Sequence, residues 1–95
     1  RLEEKIRTPL TNEVVAVSGA RLSEMRYERL NGELEVMAVI MTPREFEPAQ
    51  VASIENVLRQ QVDPNARLIV RSLISKDADR GGTVFISEED RLNRA

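Results

Sequence analysis

The dipeptide Asn31-Gly32 is the feature that most restricts how this chain can fold. Both residues tolerate the positive φ angles of a two-residue type I′ turn, and strand-like runs flank the pair on each side. The pair therefore predicts a β-hairpin, and a two-residue turn also predicts which residues face each other. The couples expected on the core face are Arg29 with Leu34, Tyr27 with Val36, Met25 with Ala38, and Ser23 with Ile40.

The opposite face of the hairpin is expected to carry more apolar side chains than a solvated face usually has. Its expected couples are Glu28 with Glu35, Arg26 with Met37, Glu24 with Val39, and Leu22 with Met41. Contiguous exposed apolar surface usually marks an interaction site, and a two-fold contact buries the same patch on both copies. The residues Leu22, Met37, Val39 and Met41 are therefore predicted to form a self-association interface. Two alternatives are that the segment 84–92 folds back over them, or that scattered apolar side chains tolerate solvent.

Helical and strand-like patterns surround the hairpin. Residues 1–7 form a short helical pattern that Pro9 interrupts, although Val14, Val15 and Val17 leave open a continuation of the apolar face beyond it; residues 1–19 are expected to be a helical and linker segment. Pro48, followed by apolar residues at spacings of three and four, predicts an amphipathic helix over 48–62. Residues 66–75 predict a third strand, and apolar residues on both of its faces favour a central position. The run 83–86 leaves a short fourth strand open.

The resulting order, α-β-β-α-β, predicts an α+β domain. A hairpin followed by a right-handed helical crossover to a third strand places the helices on one face of the sheet. This is a two-layer sandwich of ferredoxin-like or truncated ferredoxin-like type. The 95 residues are expected to form a single soluble domain, with a core over 20–86 and a tail over 87–95. Because the chain opens on Arg1, we expect it to be a fragment of a longer protein.

The composition argues against several function classes. The chain has no histidine and no cysteine, so the commonest general base, the thiolate metal ligands and disulfides are all absent. We therefore expect neither an enzyme nor a bound cofactor. A net charge of −2 and 3% aromatic residues give no basis for binding nucleic acid. No apolar run approaches the roughly 20 residues of a membrane helix, so the domain itself is not expected to insert into a membrane.

A second function is suggested by an acidic segment near the end of the chain. Asp77, Asp79 and Glu88 occupy positions one, three and twelve of a calcium-loop pattern, with Gly82 at position six. We call these three carboxylates the acidic loop. Against calcium binding, position five is Gly81, which supplies no side-chain ligand, and the preceding segment is strand-like rather than helical. The alternatives are an ion-sensing module and a polar loop whose glycines permit a turn.

A family resemblance is carried by a longer pattern of residues. It comprises Arg21-Leu22, Asn31-Gly32, Thr42-Pro43, Pro48 with Val51, Ile54-Glu55 and Leu58, then Leu68-Ile69-Val70-Arg71-Ser72, and Asp77, Asp79, Gly82 and Val84. Over about residues 20–86 this pattern resembles the soluble C-terminal domain of the bacterial multi-spanning "uncharacterised hydrophobic protein" family, the domain-of-unknown-function 389 family. The resemblance implies a parent with several membrane helices, residues 1–7 continuing from the last of them, and transport as one role. We also expect a homo-oligomer formed through the parent, with this domain on the cytoplasmic side.

The element order is also similar to the cytoplasmic domain of cation diffusion facilitator transporters. Those domains dimerise and commonly bind zinc through histidines and carboxylates. This chain has no histidine, so their metal sites do not carry over to it. Both resemblances imply a soluble appendage of a membrane protein.

Overall fold

The computed structural model describes residues 1–76, which form two helices and three strands. In chain order they are α1 (Leu2–Val15), β1 (Arg21–Leu30), β2 (Glu33–Thr42), α2 (Pro48–Gln61) and β3 (Ala66–Ile74). The sheet order is β1-β2-β3, with β1 antiparallel and β3 parallel to β2. The predicted α+β sandwich is confirmed. Within residues 1–76, β2 and β3 pair directly, without the strand that splits a complete ferredoxin-like βαβ unit.

The hairpin turn forms where the sequence predicts it. Asn31 has a φ of 53° and Gly32 a φ of 81°, as a type I′ turn requires. From the couple Leu30–Glu33 to the couple Glu24–Val39, the strands pair in the predicted register.

A β-bulge changes the register at the far end of the hairpin. Beyond Glu24 the pairing shifts, so Leu22 faces Ile40 and Arg21 faces Met41. The predicted couples of Ser23 with Ile40 and of Leu22 with Met41 are wrong, because a bulge places two residues of one strand opposite one of the other. Since side chains alternate between faces, the extra residue moves Leu22 to the core face, where it packs half-buried against the core.

The first helix continues through Pro9, so of the two alternatives that the sequence left open, the apolar face that runs past the proline is the one observed. Ile6, Leu10 and Val14, four residues apart, are all fully buried. An interior proline costs about 3 kcal/mol, whereas burying three such side chains contributes roughly 5–9 kcal/mol. Tertiary packing on both sides of Pro9 therefore outweighs the lost backbone hydrogen bond.

The core lies between the two helices and one face of the sheet. It joins the buried face of α1 and Ile54 and Leu58 of α2 to the inward residues of β2 and β3. The second helix begins at Pro48 as predicted, and the side chain of Gln50 accepts a 2.8 Å hydrogen bond from the Glu47 N–H in a capping box.

The strand β3 has one neighbour among residues 1–76, and β2 is the strand between two others. The segment 83–86, predicted as a further strand, lies outside the described residues. Two side chains of α2 bond the open edge of β3: Glu55 accepts from the Leu68 N–H at 2.9 Å, and Arg59 donates to the Ala66 carbonyl at 2.8 Å. These bonds satisfy edge groups that would otherwise be free to pair with another strand.

Candidate interaction surface

The face of the sheet turned away from both helices carries five neighbouring apolar side chains. We call them the outer apolar patch: Met37, Val39 and Met41 of β2, and Ile69 and Leu73 of β3. The parallel register places Met37 beside Ile69 and Met41 beside Leu73, so the patch is continuous across two strands. Met37 and Ile69 are each 40% exposed and Leu73 is 43% exposed.

The patch includes three of the four residues predicted for an interface. Leu22 is not among them, because the bulge turns it to the core face. Ile69 and Leu73 were not predicted as part of it. Side chains alternate along a strand, so the sequence places Ile69 and Leu73 on the same face of β3, opposite to the face of Leu68. Only the pairing of β3 with β2 shows that this is the outer face.

Charged side chains border the patch on both sides. On β1 these are Glu24, Arg26 and Glu28, and on β3 they are Arg67 and Arg71. Arg26 Nε lies 2.9 Å from Glu24 Oε2, and both side chains are more than half exposed. Exposed pairs of this kind contribute about 0–1 kcal/mol, so they can exchange partners at low cost. An apolar centre with a charged border is the usual composition of a protein–protein interface.

Arg21 closes one end of the patch. The bulge sets it opposite Met41, and its guanidinium donates a 3.1 Å hydrogen bond to Met41 Sδ. Its Nε is buried and finds no hydrogen-bond partner among residues 1–76. A buried donor without a partner costs about 1–3 kcal/mol, so an acceptor brought to this position would stabilise the protein.

An open cleft of about 490 Å³ lies where α2 begins, and several groups along it are already bonded within the protein. Thr42 Oγ1 donates to the Arg44 carbonyl at 2.7 Å, and Ser72 Oγ accepts from the Phe46 N–H at 3.1 Å. The Glu47 carboxylate caps the helix N-terminus, where an anionic ligand would otherwise be favoured. The cleft is therefore a weaker candidate for a binding site than the outer face.

One ion pair joins the hairpin to the loop between α2 and β3. Asp63 Oδ1 accepts a 2.8 Å hydrogen bond from the Asn65 N–H, and Asp63 Oδ2 lies 3.0 Å from the guanidinium of Arg29. The bond from Asn65 and then the bond from Arg29 hold the pKa of Asp63 below its ordinary value of 3.8. The pair contributes to the position of the hairpin rather than to a reactive site.

The acidic loop of Asp77, Asp79 and Glu88 lies outside the described residues. Within residues 1–76, no group of three acidic, histidine or cysteine side chains is placed to hold a metal ion. No helix in this part of the chain is both long enough and apolar enough to cross a membrane. Comparisons of the chain with protein-family models, with curated proteins and with solved structures found no match.

Proposed function

We propose that this is a non-enzymatic domain through which a bacterial membrane protein self-associates and is regulated, with a transporter as one kind of parent. The observation that carries the proposal is the outer apolar patch, of which Met37, Ile69 and Leu73 are each 40% or more exposed. Water in contact with this surface is released when a second surface covers it, and that release favours association. The membrane parent is inferred from the family resemblance of residues 20–86.

The chemistry of the chain supports a binding role over a catalytic one. Without histidine and cysteine, hydroxyl groups have no imidazole to activate them and metals lack their commonest nitrogen and sulfur ligands. Glu24 and Glu33, near the patch, lie on an exposed face and pair with arginines, as the carboxylates of a solvated surface do.

The proposal is tested by analytical ultracentrifugation of the whole 95-residue chain over a range of concentrations. We expect a reversible dimer whose dissociation constant rises at least about tenfold in Val39→Lys, because each dimer would then bury two lysine charges at the centre of the patch. Val15→Lys is the matched control. Val15 is 59% exposed at the end of α1, away from the outer face, and the substitution changes volume and charge identically.

Two results would contradict the proposal. The first is a wild-type chain that stays monomeric at about 1 mM, since linkage to a common parent gives effective concentrations of this order. The second is equal weakening by the two lysine variants. Leu73→Lys, at an exposed position of β3, gives an independent measurement if Val39→Lys does not fold.

A further inference from the structure

We infer that two copies stack their outer faces about a two-fold axis parallel to the strands, so that β1 of each copy lies over β3 of the other. The inference rests on the proposed self-association and specifies its geometry. A two-fold axis between stacked sheets can run along the strands or across them. Residues that lie side by side on β1, β2 and β3 form a row across the sheet. An axis along the strands sets each row over the same row of the second copy. Within each row, the β1 residue lies over the β3 residue of the second copy, and the β2 residue lies over its own copy.

The rows of the sheet then bring opposite charges together. Glu24, Val39 and Arg71 form one row across the three strands, so Glu24 of each copy faces Arg71 of the other. Glu28 and Arg67 stand at the two ends of another row and are exchanged in the same way. The acids of β1 thus meet the bases of β3, and charge complementarity of this kind selects one docking geometry over others.

The apolar residues of β2 meet their own copies on the axis. Met37, Val39 and Met41 each face the same residue of the second copy, which buries the centre of the patch. Glu35 also lies near the axis, at the turn end, where like charges approach. Stacked sheets cross at about 30° and so separate towards the strand ends. We therefore place the centre of the contact between Val39 and Met41, away from Glu35.

An axis across the strands fits less well. When it is centred on Val39, it sets Glu24 over Glu24 and Arg71 over Arg71 of the second copy, so that like charges face each other.

Charge reversal at one ionic contact tests the geometry. Glu24→Arg and Arg71→Glu are both at exposed positions, and each variant alone should weaken the homodimer by about ten- to a hundredfold, because it sets like charges together at two symmetric contacts. An equimolar mixture of the two variants should dimerise nearly as tightly as wild type. In the mixed dimer the introduced arginine faces the introduced glutamate, and native Glu24 faces native Arg71.

The matched control is a mixture of Arg71→Glu with Glu4→Arg. Glu4 is exposed on α1, so this mixture has the same net charges, but in its mixed dimer one of the two contacts still sets Glu24 against the introduced glutamate. Sedimentation with one variant fluorescently labelled measures the mixed species. Equal restoration in both mixtures would reflect general charge attraction and would overturn the inference. A third outcome is that Val39→Lys disrupts the wild-type dimer but neither mixture restores dimerisation. That outcome would overturn this geometry and leave the proposed self-association standing.

Discussion

Leu10→Ala tests whether packing beyond Pro9 stabilises the domain. Leu10 directly follows the proline, has no exposed surface, and belongs to the buried cluster that joins α1 to the sheet. If the proline ended α1, Leu10 would lie in a linker and its truncation would change the free energy of unfolding little. With the helix continuous, the same substitution opens a cavity in the core.

The expected loss follows from the buried volume. Leucine to alanine removes about three methylene equivalents, each contributing about 0.8 kcal/mol, which gives roughly 2.4 kcal/mol of lost transfer free energy. The incompletely filled cavity raises the total to about 3–5 kcal/mol. A chain of this length has a free energy of unfolding of about 5–14 kcal/mol, so the variant should remain folded in the absence of denaturant while losing a large share of its stability.

Urea unfolding followed by far-ultraviolet circular dichroism measures this loss. With a denaturant slope of about 1.2 kcal/mol per molar, the midpoint should fall by about 2.5–4 M. Val15→Ala is the control on the same helix: Val15 is 59% exposed, and its midpoint should stay within about 0.5 M of wild type. All samples need the same protein concentration, because association adds to apparent stability. Equal midpoints for Leu10→Ala and Val15→Ala would refute the argument that this helix is held by burial on both sides of the proline.

Two further predictions concern titration and metal binding. Because the pKa of Asp63 is lowered in the folded state, the stabilisation that its carboxylate contributes is complete above the ordinary value of 3.8 and is lost as the pH falls through the lowered pKa. In Asp63→Asn, the free energy of unfolding measured below pH 5 should therefore depend less on pH than in wild type. An unchanged dependence would show that the bonds from Asn65 and Arg29 do not act through this carboxylate. If the acidic loop binds calcium, the ion should stabilise the folded chain by about 2.7 kcal/mol when its concentration is a hundredfold above the dissociation constant. Superimposable thermal melting curves in calcium and in chelator would exclude calcium binding by this loop.

The sequence by itself determined the elements whose signals are local. Asn31-Gly32 set the turn because these residues occupy positive φ at low cost, and Pro48 with the capping pair of Glu47 and Gln50 set the start of α2. The α-β-β-α-β order followed from these signals and from the periodicity of the apolar residues. Three members of the outer apolar patch, Met37, Val39 and Met41, were predicted because side chains alternate between the two faces of a strand and the turn fixes which residues share a face.

Only the tertiary structure decided the features that depend on contacts between distant residues. A bulge at Ser23 moved Leu22 into the core and brought Arg21 to the end of the patch, and no local propensity marks a bulge in an exposed, charged strand. Burial of Leu10 and Val14 carried α1 through Pro9, because packing against the sheet outweighs a local backbone cost. The pairing of β3 with β2 added Ile69 and Leu73 to the outer face. Alternation gives each strand two faces, but only the neighbouring strand and the helices packed on the sheet determine which face is left to water.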